Sequence, residues 1–174
     1  MIKSTVLSLL LAAGVSAVYA QSNPLTTELK ANYNNIKNNV LKGAEKMPEE
    51  NYSFKPAPES RTFGEVVTHI ATVQAALCAS VKGETKQLDG TKTSKADAVA
   101  LLKESVDYCD PIYNAMNDAS GLEMGKMFGR DRTKFGILDF NVIHDNEMYG
   151  TMAVYLRAKG VVPPSSEPRG NGKK

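Results

Sequence analysis

The chain has no tryptophan, two cysteines, two histidines and almost no net charge, and each scarcity closes off a class of function. Twenty-one cations against nineteen acids give +2, and the two signs are interspersed. That leaves neither a phosphate-tracking stripe nor a polybasic patch, so nucleic acid is not an expected partner. The two cysteines, Cys78 and Cys109, form no C-x-x-C, which removes zinc ribbons and thioredoxin-type redox chemistry. "MGKMFGRDR" has glycines and cations but lacks the G-K-[ST] ending of a phosphate loop. With only His69 and His144 available, no zinc site can be built from histidine alone, since three protein ligands are the usual minimum.

Long apolar runs are also scarce. The one that stands out opens the chain: "MIKSTVLSLLLAAGVSAVYA" has a basic start at Lys3, an apolar run from Val6 to Val15, and small residues at Val18 and Ala20 before Gln21. This reads as a secretory signal peptide over residues 1–20, cut after Ala20. The run falls short of the roughly 18 to 20 apolar residues a spanning helix needs. The mature chain is therefore expected to be periplasmic or secreted, with no membrane association once the signal is cleaved. Cleavage removes Lys3 alone among the charged residues, leaving 20 cations against 19 acids. In an oxidising compartment Cys78 and Cys109 can form a disulfide, or both can be buried thiols; the sequence leaves both readings open.

What remains divides into four helical stretches. Pro24 to Lys46 follows Asn23 as the expected N-cap, with proline at the first helical position. Leu29, Ile36, Val40 and Met47 recur at helical spacing among many asparagines, which lower intrinsic propensity and make this helix lean on its neighbours. "MPEENYSFKPAPESR" is an extended connector that packs Tyr52 and Phe54 on the bundle. A second helix from about Thr62 to Lys82 carries Val66, Ile70, Val73, Leu77 and Val81 inward and ends at Gly83. Ser94 with Asp97 opens a third, which runs to about Asn117; Pro111 is expected to kink or split it. After a glycine-rich connector, "SGLEMGKMFGRDRTKFG", the fourth spans about Ile137 to Lys159, capped by Gly160. No stretch reads as a strand. The fold expected is all-α, an up-and-down or crossed four-helix bundle over residues 21–164, followed by a flexible tail over 165–174.

His69 sits at the edge of the second helix's inward stripe and His144 on the inner face of the fourth, so their side chains can meet inside the bundle. The segments "MPEENYSFKPAPESRTFGEVVTHIA" and "HDNEMYGTMAVYLRAKGVVPPSS" carry two blocks, Y-x-F-K-P followed by F-G-E-x-x-x-H-I-A, and H-x-x-E-x-Y-G followed by Y-L-R-x-x-G-x-x-P-P. On these the chain, over about Leu25 to Ser166, resembles the DinB-like superfamily of four-helix bundles, which includes metal-dependent thiol transferases. The resemblance implies a divalent metal held by one histidine of the second helix and two of the last, spaced i and i+4. It assigns His69 and His144 to the first two positions and puts Met148 in the third.

Met148 is the departure. A thioether is neutral and soft, poor for zinc, nickel or iron and better suited to copper(I). Losing one of three ligands is expected to weaken the site by several kcal/mol, on a scale of roughly 10 to 16 for a whole zinc site. Asp145 is rotated about 100° from His144 and is expected to point elsewhere; Asn141, one turn earlier, offers an amide oxygen. Glu147 and Glu65 are the spare carboxylates that would rebuild a two-histidine, one-carboxylate centre; otherwise each belongs to a solvated helix face. Met124, Met127, Met148 and Met152 with His144 offer a soft cluster for copper(I), or simply fill core gaps. Tyr149, Tyr155 and Arg157 are expected to serve packing and pairing.

Two functions are thus consistent with the sequence. One is an exported small-molecule or interaction module, a homodimer in one version, whose histidine pocket binds metal weakly or not at all. The other is a metal-dependent transferase or hydrolase acting on a small molecule through His69 and His144.

Overall fold

Residues 23–168 are those the structure, a computed structural model, describes; the expected signal peptide and the last six residues of the tail lie outside them. Helix α1 runs Pro24–Lys46 and buries Leu29, Tyr33, Ile36, Val40 and Ala44 along one face. Asn23 holds the N-cap position, as expected, but its side chain makes no cap hydrogen bond. Asp118, brought in from the far side of the chain, accepts from the Thr26 N–H and hydroxyl at 2.8 Å each and from the Leu25 N–H at 3.3 Å. The Asn23 side chain instead accepts from the Asp118 N–H at 3.0 Å. The orphan donors of α1 are thus satisfied by a carboxylate, which also suits the positive end of the helix dipole.

The connector after α1 packs as expected. Tyr52 donates to the Ala44 carbonyl at 2.6 Å and meets the Phe63 ring edge-on at 5.1 Å. Helix α2, Phe63–Lys82, opens on a full capping box between Thr62 and Glu65 and closes at Gly83, whose φ of 74° is the left-handed geometry glycine adopts without penalty. It is long and apolar enough to pass for a membrane span, but 67% of that apolar window is buried inside the bundle.

The segment from residue 84 to 94 then runs back along α2. Gly90 lies against Thr68 and Thr72, and Gly64 lies so close to Thr93 that a Cβ there would strike the Thr93 carbonyl. Helix α3, Lys95–Ala115, therefore starts at the same end as α2 and runs parallel to it. The register is fixed by two pairs: Gln74 donates to Ser105 at 2.9 Å, and Cys78 is bonded to Cys109 across the same separation of 31 residues. The bundle is thus of the crossed type, and of the two readings for the cysteines the bridge is the one formed. Pro111 stands inside α3 without splitting it. Both Pro111 and Asp107, whose carbonyl loses its partner, are exposed, so water can serve that carbonyl.

The glycine-rich connector is more ordered than expected. A short helix α4, Asp118–Gly121, leads into strands β1, Met124–Met127, and β2, Arg130–Thr133, which pair antiparallel with Met124 opposite Thr133 and Met127 opposite Arg130. The expectation of no strand fails here because the strands are only four residues long, one of them mostly charged, with no apolar alternation to reveal them. Helix α5, Lys134–Ala158, begins three residues before the expected Ile137 because Thr133 caps it, accepting from the Gly136 N–H at 3.0 Å. The chain after Pro164, expected to be loose, is tied down as far as Glu167: Ser165 and Ser166 bond Tyr149 and Arg157, and Glu167 pairs with Lys46.

Two apolar clusters fill the bundle. One, around Val67, Ile70, Met152 and Leu156, lies toward the end where α2 starts. The other surrounds the disulfide and includes Tyr33 and Tyr113, stacked at 3.6 Å.

Candidate functional site

His69 stands on α2 two turns beyond the capping box, and His144 on α5, which runs antiparallel to α2. Tyr155 of α5 also donates to the carbonyl of Arg61, just before α2, at 2.7 Å. This brings the rings together: the His69 and His144 Nε2 atoms are 3.3 Å apart and the rings lie 5.2 Å centroid to centroid. The inner-face placement of both histidines follows from helical periodicity, and the structure joins them.

Asp145 is the residue the sequence reading set aside. Its Oδ1 lies 3.0 Å from His144 Nδ1, and its side chain is buried. The 100° rotation between neighbours on a helix describes where Cβ atoms point; it does not account for an imidazole whose Nδ1 turns back to the next side chain. Burial pushes the Asp145 carboxyl up to about 6, against the opposing hydrogen bond and charge of His144 and the bond from Asn141. An Nδ1–H donated to Asp145 leaves the His144 Nε2 lone pair aimed at His69. His69 is held below the ordinary histidine range, chiefly by burial, with Arg61 and His144 adding repulsion. It is neutral at pH 7, and its Nε2–H can donate to His144.

The same separation has a second meaning. Two imidazole nitrogens bound to one tetrahedral ion at about 2.0 to 2.1 Å stand roughly 3.3 Å apart. The His69 and His144 pair, with Asp145 behind His144, therefore fits two corners of a metal centre and one outer-shell partner. The third corner is not supplied. Met148 is half-buried and packed on the α1–α2–α5 cluster. Glu65 gives its carboxylate to the Thr62 N–H at 2.6 Å, completing the helix cap. Glu147 is exposed, and Asn141 is spent on the Tyr113 hydroxyl at 3.0 Å. Among the described residues no group of three histidine, cysteine, aspartate or glutamate side chains can hold an ion. The four methionines do not gather either: Met127 belongs to the disulfide cluster, Met148 and Met152 to the other, and Met124 is exposed.

A cavity of about 490 Å³ opens beside His69, lined by Lys55, Glu59, Ser60, Arg61, Glu65, Thr68, Thr72 and Gly90. The lining is polar throughout, with two cations and two acids. Tyr149, Tyr155 and Arg157 turn to the connector and the tail, as expected of packing and pairing residues. Arg61 was not singled out by the sequence, and the signal for it was its place two residues before the F-G-E-x-x-x-H run.

A family model described as DinB superfamily matches residues 35–152, which is more than half of the chain and contains His69, His144 and Met148. Two solved structures share the fold. One is a DinB-like protein from Bacillus cereus, 18% identical, with a TM-score of 0.69, covering 78% of this chain and 93% of that one. The other is a DinB-like protein from Bacillus subtilis, 22% identical, with a TM-score of 0.65, covering 82% of this chain and 99% of that one. No curated protein matches.

Proposed function

The chain belongs to the DinB superfamily, and from that premise we propose that it is an exported small-molecule or interaction module whose inherited metal pocket has lost its working ligand set. The observation that carries this reading is the pairing of His69 with His144 at 3.3 Å, with methionine rather than histidine four residues after His144. A neutral sulfur in place of an imidazole adds little to zinc, nickel or iron affinity, and two imidazoles alone leave most of a structural site's energy unmade. The imidazoles instead satisfy one another through a hydrogen bond. The polar cavity beside His69 suits a small polar ligand, and its size lies within the ordinary range for such sites.

Metal analysis of protein made without a histidine tag tests this. The wild type is expected to carry less than a stoichiometric amount of zinc, nickel, iron or copper, whereas Met148→His is expected to take up one divalent ion per chain. Adding Asp145→Ala to that variant is expected to cost about 10- to 100-fold in metal affinity, the usual loss when an outer-shell partner is removed. One metal per wild-type chain that vanishes in His144→Ala would overturn the proposal.

That outcome would favour a second reading, a metal-dependent transferase or hydrolase working through His69 and His144. The Nε2 to Nε2 distance supports it, because it suits joint coordination as well as a hydrogen bond.

A further inference from the structure

The end of the bundle opposite the capping box of α2 presents apolar side chains that no other part of the described chain covers. Leu25 at the start of α1, Leu122 after α4, Met124 in β1 and Phe128 at the hairpin tip are 52%, 67%, 61% and 74% exposed. Asp118 binds the Leu25 N–H and so holds the start of α1 beside α4. Single exposed apolar residues are ordinary. Three within seven consecutive residues, on the same end as a fourth, mark a contact surface.

Phe128 is placed there against its own backbone preference. It and Gly129 join β1 to β2 with φ of 51° and 77°. A two-residue turn with both φ positive selects asparagine or glycine at its first position and disfavours a bulky side chain. The ring does not recover that penalty by burial, meeting Phe140 edge-on with centroids 6.0 Å apart while remaining mostly in solvent.

The charges beside it have one sign left over. Lys126 pairs with Asp131 and Lys134 with Glu123, each at 2.6 Å, which uses both acids of the segment from residue 122 to 134. Arg130 and Arg132 are exposed and form no ion pair among the described residues.

We propose that this end of the bundle docks on an anionic lipid surface. Phe128 and Met124 enter the headgroup boundary, where an aromatic ring and a thioether shed water, and the Arg130 and Arg132 guanidinium groups pair with lipid phosphates. Scattered through the sequence, these cations form no patch, and the expectation of no membrane contact rested on that scatter. The hairpin sets Arg130 beside the exposed tip, opposite Met127, and Arg132 two residues further along the same face. A second copy of the chain fits this surface less well, since a two-fold contact would bring the same guanidinium groups toward each other.

The test uses the chain from Gln21 onward, co-sedimented with phosphatidylcholine vesicles with and without phosphatidylglycerol. Binding is expected only with phosphatidylglycerol and is expected to weaken as salt rises. Phe128→Asn relieves the turn, so its melting temperature is expected to hold or rise while vesicle affinity falls about tenfold. Arg130→Gln with Arg132→Gln is expected to lose about tenfold or more at low salt and most of the salt dependence. The proposal is overturned by no binding, by equal binding to both vesicle types, or by affinity unchanged in Phe128→Asn. A dimer that Phe128→Asn dissociates would overturn it as well, by assigning the face to a second copy.

Discussion

Tyr113 shows how much can depend on one hydroxyl. It donates to the Leu138 carbonyl at 2.9 Å and accepts from the Asn141 amide at 3.0 Å, in a part of the core where both partners are out of water. Burial pushes its phenol far above the ordinary range, so it stays a neutral donor throughout the working pH range. Tyr113→Phe keeps the stack on Tyr33 and strands a buried carbonyl and an amide, and is expected to lower unfolding stability by about 1 to 3 kcal/mol in denaturant titration. Asn141 already has a buried Oδ1 without a partner, so little spare bonding capacity remains there. Tyr33 and Tyr113 fall on helical stripes, so their burial follows from period. The bond from His144 to Asp145 was illegible. Periodicity sorts residues by the direction of Cβ, and a contact between sequence neighbours is decided by side-chain torsions that no spacing encodes.

At the level of elements, legibility followed the location of the cap. The bounds of α2 could be read almost to the residue because Thr62, Glu65 and Gly83 lie within or beside it. The start of α1 falls where Asn23 and Pro24 put it, but its side-chain cap could not be read, because it comes from Asp118, 92 positions from Thr26. Although partial burial raises it, the Asp118 carboxyl is held below its ordinary value by the Thr26 N–H and hydroxyl and the Leu25 N–H. An acid whose pKa is depressed on folding adds stability above its unfolded pKa, near 3.9, and that stability is lost as pH falls through the lower folded value. Asp118→Asn is therefore expected to lower the melting temperature at pH 7 and to narrow the gap from wild type as the solution is acidified below pH 4. Thermal melts at several pH values measure this. The hairpin had no signal of either kind, since Phe128 occupies a turn position where asparagine would have announced it.

Over the whole molecule, the mainly helical fold and the number of long helices could be read from the sequence, and the structure has all four of them. The direction of α3 could not. A polar loop of eleven residues serves equally well for a simple reversal or a long crossing, and only the contacts of Gly90 and Thr93 along α2 decide for the crossing. The parallel pair that results carries the bridge between Cys78 and Cys109, buried in the cluster that includes Tyr33 and Tyr113. Restraining a loop of this length in the unfolded chain is worth about 3 to 4 kcal/mol. Cys78→Ala with Cys109→Ala is expected to lose that much by denaturant titration, or to unfold outright at 37 °C, and reductant is expected to shift the wild type the same way.

The crossing segment and the bridge between them enclose a ring of covalent bonds. A protease that nicks the exposed strap around Lys86 or Lys92 opens this ring without parting the molecule. The two pieces stay fastened at the base of α2 and α3, and the histidines, which lie on opposite sides of such a cut, keep a common frame until the sulfurs are reduced.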